Sequence, residues 1–179
     1  MTNYTHLENP LGELLLTSRG GRLTGLYFVD QAHVPPVEHD WKRDDDAEIF
    51  IRTGQQLAEY IAGERIEFDV PLELMGTPFQ ARVWQVIAAI PFGQTITYGE
   101  LAEQIGAPQS VRAVGAATGR NPVSWIVPCH RVMGKSGALT GYAGGVSRKK
   151  ALLDFEASRL ARQEAVLTLK ESQPALEMV

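Results

Sequence analysis

A thiol becomes a nucleophile by losing its proton, and this 179-residue chain has a single thiol, Cys129, set in Val127-Pro128-Cys129-His130-Arg131. An unperturbed cysteine is only a few per cent ionised at neutral pH. A neighbouring imidazole, a cation or a helix N-terminus shifts that balance toward thiolate. Proline before the cysteine favours a stiff, turned backbone and removes one amide donor. A lone cysteine can equally be a small buried apolar side chain, so its flanking residues carry the argument. One cysteine excludes an internal disulfide, a multi-cysteine zinc cluster and a second thiol able to resolve an oxidised first one. His33 and His39 lie in a Pro-containing loop and match no metal-ligand spacing, so no metal is expected.

The formal net charge of −4 argues against a polyanionic partner, but the average hides a division. Residues 1–79 hold six Lys/Arg against fourteen Asp/Glu, whereas residues 80–150 hold eight against two. The basic segment contains the cysteine, which suits either a polyanion at the reactive site or an ordinary solvated face. No apolar run approaches the ~20 residues of a membrane span. The start, Met1-Thr2-Asn3-Tyr4, has no basic region followed by an apolar stretch, and a cytoplasmic protein with no membrane partner is expected.

The elements that must position the cysteine follow from periodicity and turn signals. Residues 4–28 read as a meander, with strands at 13–18 and 22–28 between Asn9-Pro10-Leu11-Gly12 and Arg19-Gly20-Gly21. Asp44-Asp45-Asp46 precede a helical pattern running to about Ala62, where Phe50, Thr53, Leu57, Tyr60 and Ile61 share a face. The acidic run reads as helix N-terminal charge. Gly63 closes that helix, and residues 68–72 read as one more strand. This first block contains no catalytic constellation. Thr77-Pro78 opens a second block with a helix to about Ala89. Residues 98–105 and 111–118, broken by Gly106-Ala107-Pro108-Gln109 with Ser110 as the N-cap, form a helix-turn-helix pattern. Ala113, Gly115, Ala116 and Ala117 allow close approach to another helix or to a groove wall. A last core helix is expected over about 148–160 with Ser147 as its cap, and residues 161–179 as a ragged helical tail.

Gly76-Thr77-Pro78-Phe79-Gln80 with Val83-Trp84, Ile90-Pro91, Tyr98-Gly99, Arg112-Ala113-Val114-Gly115, Asn121-Pro122, the stretch from Ile126 through Cys129 to Val132, Thr140-Gly141-Tyr142-Ala143-Gly144-Gly145, and Lys149 with Leu152-Leu153 stand in a characteristic order and spacing. Over residues 76–156 the chain resembles the O6-alkylguanine-DNA alkyltransferase family. The resemblance implies an α+β fold: a small N-terminal α/β domain with a short antiparallel sheet (1–75), then a mostly helical domain with a winged helix-turn-helix for DNA binding and alkyl transfer (76–160), then a C-terminal tail (161–179). It implies DNA repair by transfer of an alkyl group from O6 of guanine, and by extension O4 of thymine, to Cys129 after the base is flipped from the duplex.

Under the same resemblance His130 ionises the thiol through a water and is oriented by Glu156, while Tyr98 gives or shares a proton with the leaving base. Asn121 ties the recognition helix to the active-site loop. Val127 and Pro128, with Tyr142, Ala143, Gly144 and Gly145, frame the guanine. Arg112 fills the space of the extruded nucleotide, and Ser110, Ala113, Ala116 and Ala117 lie in the minor groove. The implied partner is duplex DNA bearing O6-alkylguanine, met by a monomer without cofactor, with cooperative binding along DNA left open. A thioether product with no neighbouring thiol implies one turnover per molecule. Two other readings stand beside this one. One is a non-catalytic module that binds damaged DNA and uses Cys129 structurally or as a redox sensor. The other is a cysteine hydrolase, disfavoured because adjacent residues in an extended segment point to opposite faces.

Overall fold

The computed structural model describes residues 1–172. Strands β1 (Asn3–Leu7), β2 (Leu14–Arg19), β3 (Arg22–Phe28) and β4 (Lys42–Arg43) form one sheet in the order β3-β2-β1-β4. The first three pair antiparallel, and the two-residue β4 joins β1 in parallel. Helix α1 (Glu48–Ala62) buries Ile49, Phe50, Thr53, Leu57 and Tyr60, one apolar stripe at the 3.6-residue period. It joins a core with Leu14, Leu16, Leu26 and Phe28 of the sheet. Gly63, at φ 77°, ends the helix in the left-handed conformation that glycine adopts without strain.

Two expectations for this block are corrected. Asp45 does not serve the N-terminus of α1: it accepts hydrogen bonds from Thr5 Oγ1 at 2.6 Å and Arg43 Nε at 3.0 Å, knitting β1 to the β4 edge. Glu48 is the acid in the first turn. Residues 68–72 form no strand, because Pro71 has no amide to donate to a ladder. What remains is one bridge, Leu23 to Leu72, flanked by Leu23 N donating to Pro71 O at 2.9 Å.

Helix α2 (Pro78–Ala88) opens as expected, with proline in its first turn and a capping box in which Thr77 and Gln80 each accept from the other's backbone amide. Strand β5 (Ile96–Thr97) leads into α3 (Tyr98–Gln104), whose capping box pairs Thr97 with Glu100. A turn at Gly106, φ 75°, leads to α4 (Val111–Gly119). Ser110 precedes α4, but its side chain makes no capping hydrogen bond. Val114 and Ala117 of α4 are buried, and Trp84 Nε1 of α2 donates to Ala117 O at 2.8 Å, fixing the helix pair on α2. Beside the pair, where a wing is expected, β5 and β6 (Val132–Met133) make a two-residue parallel ladder.

Helix α5 (Val146–Ser172) begins one residue before the expected cap, so Ser147 lies inside its first turn, and it continues twelve residues past Leu160. Ala161, Arg162, Gln163, Glu164 and Ala165 are strong helix formers, which sustain the helix where little packs against it. The rest of the expected tail, residues 173–179, lies outside the described residues. The two halves of the chain meet around Tyr60, whose ring lies 5.7 Å from Trp125, 5.2 Å from Phe155 and 5.8 Å from Phe92. Among the described residues no helix is long and apolar enough to cross a membrane.

Candidate active site

Cys129 opens a single 3-10 turn, Cys129–Arg131, between the Asn121–Pro128 segment and β6. The segment is anchored to the N-terminal sheet: Leu26 N donates to Pro122 O at 2.8 Å, and Val123 bridges Leu26. Asn121, buried at the end of α4, holds the loop from within. Its Nδ2 donates to Val127 O at 2.7 Å, and its Oδ1 accepts from Val123 N at 3.0 Å. A buried amide so fully engaged fixes the path of the backbone just before the cysteine. Trp125 carries φ 78° in this segment, a strained value for a bulky side chain.

The thiol is only 3% exposed. Burial pushes its pKa up, against the pull of Asn121, Ser124 and the Lys149 charge. Its Sγ makes one weak hydrogen bond, to Ser124 Oγ at 3.9 Å. At rest it is a thiol, so the chemistry needs an acceptor for its proton.

A candidate for that acceptor follows from the hydrogen bonds of Glu156, a carboxylate of α5 that is 1% exposed. Burial alone would raise the Glu156 carboxyl, but hydrogen bonds and charge from His130 and Arg131 overcome it and hold the group at about 2. Glu156 is therefore ionised near neutrality and can only accept. It accepts from His130 Nε2 at 2.8 Å, Arg131 Nη2 at 2.8 Å, Arg131 Nε at 3.0 Å, Tyr60 OH at 2.6 Å and Gly93 N at 3.1 Å. His130 Nε2 must carry the hydrogen, which leaves a lone pair on Nδ1. Burial lowers the His130 pKa against the pull of Glu156, so the ring is neutral near pH 7. Nδ1 is buried and has no hydrogen-bond partner, a vacant base beside the thiol in sequence and without a direct bond to it.

Tyr98, the first residue of α3, is half-buried, and its hydroxyl donates to Thr140 O at 3.3 Å. Burial and the neighbouring Cys129 raise its pKa. Tyr142 is buried in the glycine-rich loop, with burial and Cys129 pushing its phenol far above 10. Val127, Pro128 and Gly144 are buried, and Ala143 and Gly145 are half-buried. Lys149 is fully buried, donates to Val132 O and, at 3.0 Å, to Thr140 O, and lies 5.9 Å from the centre of the Tyr98 ring.

On α4 Arg112, Ala113 and Ala116 are exposed, and Ser110 just before it is half-buried. Ala117 is corrected: it is 3% exposed and faces α2, so it belongs to the core rather than to a groove-facing surface. Arg112, Ala113 and Ala116 are exposed on α4, whereas Cys129, His130, Glu156 and Asn121 are all buried, with His130 bonded to Glu156 and Asn121 to the loop before Cys129.

Three participants escaped sequence reading. Tyr60 sits on the apolar stripe of α1 and reads there as core, in a block expected to hold nothing catalytic. Arg131 reads as one more cation of a basic segment. Gly93 contributes only its amide, which no side-chain motif reveals. Arg131 did leave a signal: a guanidinium inside an apolar, buried stretch needs a buried acid.

The chain matches two family models in succession, the ribonuclease-like domain of 6-O-methylguanine DNA methyltransferase over residues 3–74 and the DNA-binding domain of the same protein over residues 78–158. A methylated-DNA–protein-cysteine methyltransferase of Mycobacterium tuberculosis is 51% identical over 159 residues, covering 89% of this chain and 94% of that protein. The constitutive enzyme of Bacillus subtilis is 43% identical over 159 residues, covering 86% and 93%. Among solved structures, the M. tuberculosis O6-methylguanine methyltransferase superposes with TM-score 0.81 at 50% identity over 89% of this chain and 94% of that one. The M. tuberculosis protein in complex with DNA does so with the same score over 88% and 94%. A buried cysteine followed in sequence by a histidine that pairs with a buried glutamate, in a chain that matches both family domains, leaves one conclusion: the chain belongs to the O6-methylguanine-DNA methyltransferase family.

Proposed function

We propose that this protein repairs DNA by moving an alkyl group from O6 of guanine, and from O4 of alkylated thymine, onto Cys129 in one irreversible turnover. The observation that carries the reading is the hydrogen-bonded pair His130–Glu156, which leaves an unpartnered basic nitrogen on the residue that directly follows the buried Cys129 in sequence. Residues 76–160 form the DNA-binding and transfer unit and residues 1–75 its N-terminal support. The damaged base enters from the minor groove with its nucleotide swung out of the stack, since the alkyl carbon is out of reach within a duplex.

The Cys129 proton passes through a water to His130 Nδ1, and Glu156 stabilises the imidazolium that results. The sulfur forms a bond to the alkyl carbon as the bond from that carbon to O6 breaks, and the bonding pair leaves with the base. Tyr98 supplies the proton that keeps guanine from departing as an anion. The product thioether has no second thiol to pass its alkyl group to, so the molecule is consumed. Incubation with excess O6-methylguanine duplex followed by intact mass analysis tests this: one methyl adduct on Cys129 per molecule is expected. Its absence would favour the non-catalytic DNA-binding module.

Tyr98→Phe should slow transfer by roughly ten- to a hundredfold while leaving affinity for undamaged duplex nearly unchanged, because assistance to a leaving group acts mainly in the transition state. An unaltered single-turnover rate would reduce Tyr98 to packing. Arg112→Ala keeps the thiol and the base-binding loop but loses the side chain that stands in for the flipped nucleotide. Restacking is worth on the order of a few kcal/mol, so duplex repair should fall while reaction with free O6-benzylguanine stays normal. Equal losses on both substrates would show that Arg112 supports the fold instead.

A further inference from the structure

The glycine-rich loop beside Cys129 is held from the other half of the chain. Arg148, in the first turn of α5, spreads its guanidinium across the boundary. Nε donates to Leu11 O at 2.7 Å. Nη1 donates to Gly144 O at 3.0 Å and to Asp30 Oδ1 at 2.7 Å, and Nη2 donates to Asp30 Oδ2 at 3.1 Å. The guanidinium carbon lies 4.2 Å from the centre of the Phe28 ring. One planar group thus joins the β1–β2 turn, the end of β3 and the loop that carries Tyr142. Ala32 N adds a second tie across the same boundary, donating to Ala143 O at 3.2 Å.

The fit is close on both sides of the arginine. Gly12, at φ 132°, leaves room for the guanidinium, and a Cβ there would stand 2.6 Å from Nη2. A Cβ at Gly144 would stand 2.7 Å from Tyr142 Cε1 and 3.2 Å from Phe28 Cδ2. An ordinary ion pair with Asp30, whose side chain is 65% exposed, would contribute little. Two of the four hydrogen bonds go instead to backbone carbonyls, one of them the loop's own Gly144. Only the rigid fork of an arginine makes all four at once, and a lysine, with its point charge, cannot.

We infer that Arg148 is a positioning residue for alkyl transfer, holding the glycine-rich loop against the N-terminal block in the shape that receives the alkylated base. The inference rests on the alkyl-transfer reading above and adds to it a role for the N-terminal half in substrate capture. Arg148 does not touch the reacting atoms. Its effect should therefore appear in how tightly the base is bound rather than in the reactivity of the thiol.

The test uses the full chain and two probes of Cys129: free O6-benzylguanine, which needs the loop, and iodoacetamide, a small electrophile that does not. Arg148→Lys should raise the concentration of benzylguanine that half-saturates labelling by roughly tenfold, the scale of one lost hydrogen bond to a charged group. The rate at saturation and the iodoacetamide rate should match those of the parent protein. Asp30→Asn, a change at an exposed position that guards against a poorly folded Arg148 variant, should shift half-saturation the same way by a smaller factor. Asp30→Glu should restore it. Unchanged half-saturation in both Arg148→Lys and Asp30→Asn would overturn the inference. So would a parallel loss with both probes accompanied by a lower Tm, which is the signature of a contact that only holds the fold. If the parent protein forms no benzyl adduct, the alkyl-transfer reading itself fails and this role goes with it.

Discussion

In single-turnover assays with O6-methylguanine duplex, Cys129→Ser should retain DNA binding and lose methyl transfer entirely. A serine hydroxyl is far less acidic than a thiol, and the neutral imidazole of His130 cannot hold enough of it ionised to attack carbon. The swap of sulfur for oxygen is small in volume and leaves the Asn121–Val127 bond and the exposed Arg112 untouched. Gel-shift affinity should therefore stay within about twofold of the parent, consistent with contacts made outside the buried pocket. Residual transfer in this variant, mapped by peptide mass to another residue, would show that the nucleophile is misassigned.

The second large effect is expected at Glu156. Glu156→Gln removes the charge that balances the Arg131 guanidinium inside the protein, and breaking a buried pair on one side costs about 3–5 kcal/mol. It also removes the acceptor that sets the His130 tautomer, so transfer should fall along with Tm. The pH dependence carries a definite sign. The folded pKa of about 2 lies below the ordinary 4.5, so the unfolded chain takes up the proton first as pH falls. The stabilisation is complete above pH 4.5 and is lost as pH drops from there through about 2, on the order of 3 kcal/mol in all. Denaturant unfolding across that window should show this loss in the parent protein and a flatter profile in Glu156→Gln. Parallel profiles would mean that Glu156 is not the carboxylate responsible.

The helices were legible in the sequence because their signals are local. Thr77-Pro78 marks one helix start by local capping chemistry, and the helical pattern of residues 98–105 marks the next helix; the structure adds the partners Gln80 and Glu100 that complete a capping box at each start. The β2 and β3 strands follow from alternation between glycine-marked turns. The acid run at Asp44–Asp46 was misread because its partners, Thr5 and Arg43, depend on how β1 and β4 pair, and a two-residue strand has no periodicity to detect. Ala117 is misplaced by the sequence because four small residues within five positions do not say which of them faces outward. At the site, Cys129 and His130 stand out as a motif and the family resemblance supplies Glu156. Tyr60 is different: it lies 96 positions from the carboxylate it serves. No spacing rule links such a pair, since only the packing of α1 against α5 brings them together.

A protein that is spent in one reaction has to keep its reagent intact while it waits. Oxidants and adventitious electrophiles consume thiolates that are acidic and open to solvent. Cys129 is neither: it is almost wholly enclosed, and its resting state keeps the proton. The price is a slower intrinsic reaction, and the return is shelf life. Each molecule stays loaded until a base that fits the pocket arrives, so the number of lesions a cell can reverse tracks the number of copies it has made rather than how recently it made them.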